Sequence, residues 1–152
     1  MESASKDSLI YKTCELVVQH FRNLLEAGLG GFNSRIFQHM LHWEYDFVGI
    51  GSSKEALGTS DFHPEHIVPC AVMIAEVKRL ITEGNLSDSE IAKLLQKHWK
   101  IARITKEQAK YIDFQLGYKS SMPDGWSFEE GDTLARLKAA NISIVADSNS
   151  GK

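Results

Sequence analysis

Residues 87–108, SDSEIAKLLQKHWKIARITKEQ, place a helix signal, a strand signal and a second helix signal in direct succession. Ser87–Glu90 is a capping box, in which the serine and the glutamate satisfy backbone N–H groups at a helix start. Lys100–Ile104 alternates polar and apolar residues, as a half-buried strand does. Thr105–Gln108 is a second capping box and predicts a helix that ends at Gly117.

Three further helices are predicted upstream of this stretch. Apolar residues at helical spacing predict the first helix, from about Asp7 to Ala27. Gly28 follows and can end the helix in the left-handed conformation. Ser34 is a candidate N-cap for the second helix. Pro69 suits the start of the third, over residues 70–83, because its missing N–H is not needed there.

Downstream, a sixth helix is predicted over Asp132–Ala140 and a second strand over Ile142–Val145. The polar segment Ser52–His63 is interpreted as an irregular connection. The fold class is therefore mainly α, of the α+β type, with about six helices and a minor two-stranded β element. One domain is expected to span residues 1–152, with a frayed tail at 146–152.

Composition restricts the class of protein. Of the 152 residues, 43% are hydrophobic and 24% are charged, which is typical of a globular protein. No secretory signal or membrane span is recognisable, and the cysteines have no CxxC spacing, so a cytoplasmic protein without membrane contact is expected. Cys14 and Cys70 both lie in apolar helical patterns, which predicts buried reduced thiols and makes Cys70 a poor nucleophile. The net charge of −3 disfavours a strong free-standing nucleic-acid binder, but leaves room for a nuclease with a local groove.

Residues 61–69, DFHPEHIVP, hold the strongest chemical signal. Four side chains that can bind a metal ion or transfer a proton fall within six residues: Asp61, His63, Glu65 and His66. Glu65 and His66 are adjacent, so in an extended backbone they point to opposite sides. A structural role for His66, as a satisfied histidine at a helix entrance, is the alternative.

The sequence EHIVP, Glu65–Pro69, resembles the first motif of the HNH, or His-Me finger, nucleases. That motif is an acidic residue or histidine, then a histidine, an aliphatic residue, any residue and a proline. The resemblance implies that Glu65 binds a divalent metal ion, Mg²⁺ or Zn²⁺, and that His66 is the general base for water. Asp61 or His63 would share the metal with Glu65.

The remaining family positions are an asparagine after the motif and a histidine or asparagine on the following helix. The nearest candidates are Asn85 and His98. The helix opened by Thr105 is another source of a ligand, but its inward-facing position 109 is alanine. A second source is the i, i+3 pair His39 and His42, close to the acidic residues at 44 and 46.

Residues 101–113 and 116–142 are also similar to uncharacterised bacterial and phage proteins with such a histidine motif. Together these observations predict a metal-dependent phosphodiester hydrolase of the HNH type, in the setting of a bacterial or phage toxin or defence domain. Its substrate would be nucleic acid. The alternative is a non-catalytic helical interaction module, such as an inhibitor or immunity protein. The loop residues Met122, Trp126 and Phe128 would then serve protein recognition.

Overall fold

The computed structural model describes residues 2–147, which form eight α-helices, a π-helical turn and four β-strands. The α-helices are α1 Ser3–Glu26, α2 Arg35–Met40, α3 Glu44–Val48, α4 Lys54–Leu57, α5 Cys70–Glu83, α6 Asp88–His98, α7 Lys106–Lys110 and α8 Ala135–Ala139. The π-helical turn is Tyr111–Gln115, and the strands are β1 Gly49–Ser53, β2 Phe62–His66, β3 Ile101–Thr105 and β4 Ile144–Val145. Of the tail that the sequence predicts to fray, residues 148–152 lie outside the described range.

Two of the predicted helix starts are confirmed by side-chain caps, whereas Ser34 precedes α2 without a side-chain hydrogen bond and α8 begins at Ala135 and not at Asp132. Both capping boxes form, with Ser87 accepting from the Glu90 N–H and Thr105 accepting from the Gln108 N–H. Gly84 ends α5 in the left-handed conformation, at φ 73°, which costs glycine nothing because it has no Cβ. These local signals fix where α5, α6 and α7 begin or end.

The sheet is larger than the sequence predicts. It has four strands in the order β2-β3-β1-β4, so the prediction of a two-stranded element is wrong, as is the count of six helices. β1 runs parallel to β3, whereas β2 pairs antiparallel with β3 and β4 antiparallel with β1. Part of the segment predicted to be irregular forms the end of β1, α4 and the start of β2. The two strands are not predicted because their sequences, GIGSS and FHPEH, lack the apolar alternation that identifies strands. Pro64 is tolerated because β2 is an edge strand.

The central strand β3 separates two groups of buried side chains. Ile101 joins the larger group, formed mainly by α1, α5 and α6, and Trp99 belongs to it as well. Ala102 and Ile104 join the smaller group with residues of α7, the π-helical turn and α8. Successive residues of β3 thus face opposite layers of helices, as the alternation of a strand requires.

The end of β2 continues directly into α5 through a short buried connection. Ile67 and Val68 are fully buried, one in each group of core residues, and they anchor the chain on both sides of the sheet. His66 is the last residue of β2 and lies four positions before Cys70, the first residue of α5. Among residues 2–147 no helix has the length and apolarity needed to cross a membrane.

Candidate active site

A cleft of about 720 Å³ opens where β2 meets the start of α5. Its walls are the β2 residues 63–66, the exposed face of α5 from Cys70 to Lys78, and Asp113 of the π-helical turn. Lys119 lies at its rim on the loop after that turn. Three separate parts of the sequence thus bring ionisable side chains to one open space.

His66 is held at the cleft by Glu44. The His66 Nε2 lies 2.6 Å from Glu44 Oε2, and the indole N–H of the buried Trp99 donates to the same oxygen at 2.7 Å. Two contacts on one oxygen fix the carboxylate, whose side chain is only 9% exposed, and this in turn fixes the plane of the imidazole. The imidazole itself is 28% exposed and reaches the cleft.

Cys70 is the neighbour of His66 inside the cleft. Burial alone would lower the pKa of His66, but hydrogen bonding to Cys70 and to Glu44 outweighs it and raises that pKa to about 10. The imidazole is therefore protonated at neutral pH and its charge lies beside the sulfur. Cys70 is also the first residue of a 14-residue helix, whose N-terminal dipole favours negative charge.

The burial of Cys70 differs from the prediction. It is half-buried at the first position of α5, where it packs against the larger group of core residues and also lines the cleft. Cys14 does fit the prediction, since it is fully buried in α1 and burial raises the pKa of its thiol to about 12. The chain thus contains one accessible thiol beside a cation and one inaccessible thiol.

Glu65 points away from His66, as adjacent residues in a strand must. Its Oε2 accepts hydrogen bonds from both terminal nitrogens of Arg136, at 2.9 and 3.1 Å. Arg136 is 1% exposed and also donates to the carbonyls of His66, Ile67 and Tyr118. Glu65 is therefore the counter-ion of a buried guanidinium that ties the end of β2 to α8.

The predicted metal ligands are only partly brought together. His63 Nε2 is 3.1 Å from Glu65 Oε1, but Asp61 is exposed and pairs with Lys106 at 2.6 Å instead of facing the cleft. Over residues 2–147 no group of three or more His, Cys, Asp or Glu side chains is arranged to hold a metal ion. With Glu65 already neutralised by Arg136, the residues present do not fit the predicted metal site.

The secondary candidates lie elsewhere. Asn85 is exposed between α5 and α6, and His98 is fully buried, bonded to the Phe128 carbonyl at 2.7 Å and to Thr133 at 2.9 Å. Burial lowers the pKa of His98, as suits a neutral core histidine. His39 and His42 line a neighbouring pocket of about 370 Å³, which Glu44 and Pro64 also line. These four residues are not among those that line the cleft, and a role for them stays a prediction.

Sequence reasoning missed two residues of the site. Glu44 is named only as an acidic neighbour of the histidine pair, yet it is the residue that bonds His66 across 22 positions. Asp113 is the other: Ala109 is buried, but position 113, one helical turn later, lies on the cleft.

Comparison of the chain with family models, with curated proteins and with solved structures yields no match.

Proposed function

We propose that the protein is a thiol-dependent hydrolase in which Cys70 is the nucleophile, His66 the proton-transfer group and Glu44 the residue that orients His66. The observation that carries this proposal is the hydrogen bond from Glu44 to His66 at 2.6 Å, with His66 and Cys70 lining the same open cleft. A nucleophile, a base and an orienting group close together are the parts that covalent hydrolysis requires.

The chemistry follows from these positions. The Cys70 sulfur adds to the carbonyl carbon of an ester, thioester or amide, and the carbonyl π electrons move to the oxygen. As the tetrahedral intermediate collapses, the imidazolium of His66 donates its proton to the leaving group and a thioester to Cys70 remains. Neutral His66 then takes a proton from water as that water attacks the thioester, and the carboxylic acid and the thiol are released.

The charges of the cleft support an anionic or strongly polarised substrate. Two lysines line it, Lys78 and Lys119, against one uncompensated carboxylate, Asp113. Glu65 and Arg136 cancel each other, and Glu44 balances His66. Lys78 and Lys119 therefore offer two cations to a bound molecule in a protein whose net charge is −3.

Alkylation with iodoacetamide tests this proposal. We expect one thiol per chain to react, Cys70, because it lines the open cleft whereas Cys14 is fully buried. His66 keeps its charge at pH 6 and pH 8, so the imidazolium is present in the cleft during the reaction. Peptide mapping by mass spectrometry identifies the modified cysteine, and Cys14 serves as the internal control.

Two outcomes would contradict the proposal. One is a rate at Cys70 at pH 6 that His66→Gln leaves unchanged, and the other is equal modification of Cys14 and Cys70 in the native protein.

A metal-dependent phosphodiester hydrolase, which the sequence predicts, is the second candidate. The observation that favours it is the order of elements: β2 and β3 are antiparallel neighbours, and α7 with its π-helical turn follows β3 and brings Asp113 to the cleft that Glu65 lines. The antiparallel strands β2 and β3 are thus followed by the helix α7, although α5 and α6 are inserted between the two strands.

Calorimetric titration with Mg²⁺, Mn²⁺ and Zn²⁺, together with cleavage assays on DNA and RNA, separates the two candidates. Under the thiol proposal no stoichiometric metal binding is expected, and Asp113→Asn leaves alkylation of Cys70 unchanged. Metal-dependent cleavage that Asp113→Asn abolishes and Cys70→Ala preserves would establish the second candidate instead. The interaction-module alternative stays a prediction, although Phe128 of its recognition loop is fully buried in the core.

A further inference from the structure

The outer edge of β2 leaves its backbone groups free on one side. Ile67 N–H donates to the Lys100 carbonyl at 2.9 Å, and the pairs Glu65↔Ala102 and His63↔Ile104 continue the same register toward the start of the strand. In an antiparallel ladder every second residue directs both its N–H and its C=O to the partner strand. Residues 63, 65 and 67 therefore face β3, and residues 62, 64 and 66 face away from it.

Pro64 and His66 decide what this free edge can bind. Pro64 has no N–H and offers only its carbonyl. His66 offers only its N–H, because Arg136 donates to its carbonyl at 3.1 Å. The Pro64 carbonyl and the His66 N–H therefore point away from β3, toward the side of β2 where the sheet of residues 2–147 has no further strand.

The cleft runs along this edge and ends at the nucleophile. Four consecutive residues, 63–66, line it, as expected when a strand presents its edge and not one face. Pro69 and Cys70 continue the same wall beyond the strand. A molecule that follows the edge of β2 in the direction of the chain therefore arrives at the Cys70 sulfur.

We infer that the substrate is an extended peptide that adds to the sheet as a strand parallel to β2, with its scissile carbonyl at Cys70. In a parallel pair, one residue donates its N–H to the carbonyl of residue i−1 and accepts from the N–H of residue i+1. One peptide residue thus satisfies both Pro64 and His66. An antiparallel peptide would need the His66 carbonyl, which Arg136 already holds.

The charges of the cleft add a preference for certain side chains of the peptide. The whole inference rests on the proposed thiol chemistry. Lys119 is exposed at the rim of the cleft and Lys78 lies along α5, so an acidic side chain in the peptide is favoured over a basic one. A peptide substrate of this kind places its acyl part along β2 and releases its amine-bearing part beyond Cys70.

Peptidyl vinyl sulfones test the inference. The probe is acetyl-Ala-Glu-Ala vinyl sulfone: the Cys70 sulfur bonds to its β-carbon and the His66 imidazolium supplies the proton to its α-carbon. Three analogues carry an N-methyl group on one amide each. Because only alternate N–H groups of a strand face the partner, we expect methylation of one amide to slow labelling about tenfold or more, and methylation of its neighbour to slow it less than twofold.

Amide hydrogen exchange on the labelled protein gives an independent readout. We expect the His66 N–H to gain protection when the probe is attached. The N–H groups of Glu65 and Ile67 serve as controls, because the ladder with β3 already protects them in the free protein.

The outcomes separate this inference from the proposed function. Rapid labelling by iodoacetamide with no labelling by the peptidyl probe, or with equal effects of all three methyl groups, would overturn the peptide inference alone. Ordinary reactivity of Cys70 toward both reagents overturns the thiol proposal with it. Probe labelling that slows as protein concentration rises would assign the free edge to a second copy of the chain and also overturn the inference.

Discussion

Replacing Arg136 with methionine should lower the free energy of unfolding by about 3–5 kcal/mol, the range found when one partner of a buried ion pair is removed. Arg136 is 1% exposed, and its loss leaves the Glu65 carboxylate without its cation in a dry site. Three backbone carbonyls also lose a donor, those of His66, Ile67 and Tyr118. Urea unfolding at pH 7 measures the change.

A matched control is available on the same helix. Lys138 of α8 pairs with Asp132, but its side chain is 67% exposed, so Lys138→Met should cost less than about 1 kcal/mol. The double variant Arg136→Met with Glu65→Leu should recover part of the loss, because it removes the uncompensated charge. Equal costs for Arg136→Met and Lys138→Met would show that the buried pair does not hold the end of β2 in place.

Local signals in the sequence predict the longer helices of this fold, α1, α5 and α6, whereas the short helices α3 and α4 are not predicted. The capping boxes at Ser87 and Thr105 depend only on residues within one turn, so they act wherever the rest of the chain lies. β3 is also predicted, within one residue, because apolar residues recur along Lys100–Ile104 with polar residues between them. Such features are determined by contacts between near neighbours in the chain.

The missed strands depend on distant contacts instead. β1 is rich in glycine and serine, and it forms because β3 and β4 supply hydrogen bonds on either side from positions about 50 and 90 residues later. In β1, Gly51 has φ 134°, and a Cβ there would lie 2.1 Å from the Val145 carbonyl, so glycine is required by close approach and not by strand preference. No local pattern contains this information.

The candidate site also combines features that neighbouring residues determine with features that distant contacts determine. His66 and Glu65 are identified from their adjacency in the sequence, but their roles depend on partners that folding brings from 22 positions upstream and 71 positions downstream. Glu44 reaches His66, and Arg136 reaches Glu65. The sequence therefore locates the reactive histidine and leaves open whether the carboxylate beside it or another one works with it.

Replacing His66 with glutamine should slow alkylation of Cys70 about tenfold or more at pH 6, the largest kinetic effect expected for this site. The imidazole of His66 is charged at that pH, and a cation in the same cleft favours attack by a sulfur nucleophile. Glutamine keeps a similar size and a polar end but carries no charge. Stopped assays with iodoacetamide at pH 6 and pH 9 should show a large difference from the native protein at the lower pH and a small one at the higher.

Glu44→Gln provides the graded control for this prediction. Its amide oxygen still accepts from the Trp99 N–H, so the core beside it is preserved, while His66 loses the negative charge that helps to raise its pKa. We expect an alkylation rate at pH 6 between those of the native protein and His66→Gln. A rate in Glu44→Gln equal to that of the native protein would remove Glu44 from the proposed chain of contacts.

Stability against pH gives the same pair of variants a second readout. The folded protein binds the His66 proton more tightly than the unfolded chain, since its pKa is raised from 6.5 to about 10. The resulting stabilisation is complete below about pH 6.5 and is lost as pH rises toward 10. His66→Gln should therefore flatten the decline in melting temperature between pH 6.5 and pH 9, and Glu44→Gln should flatten it partly. A decline of unchanged slope in both variants would mean that His66 titrates alike in the folded and unfolded states, and the charge proposed to act on Cys70 would then be absent at neutral pH.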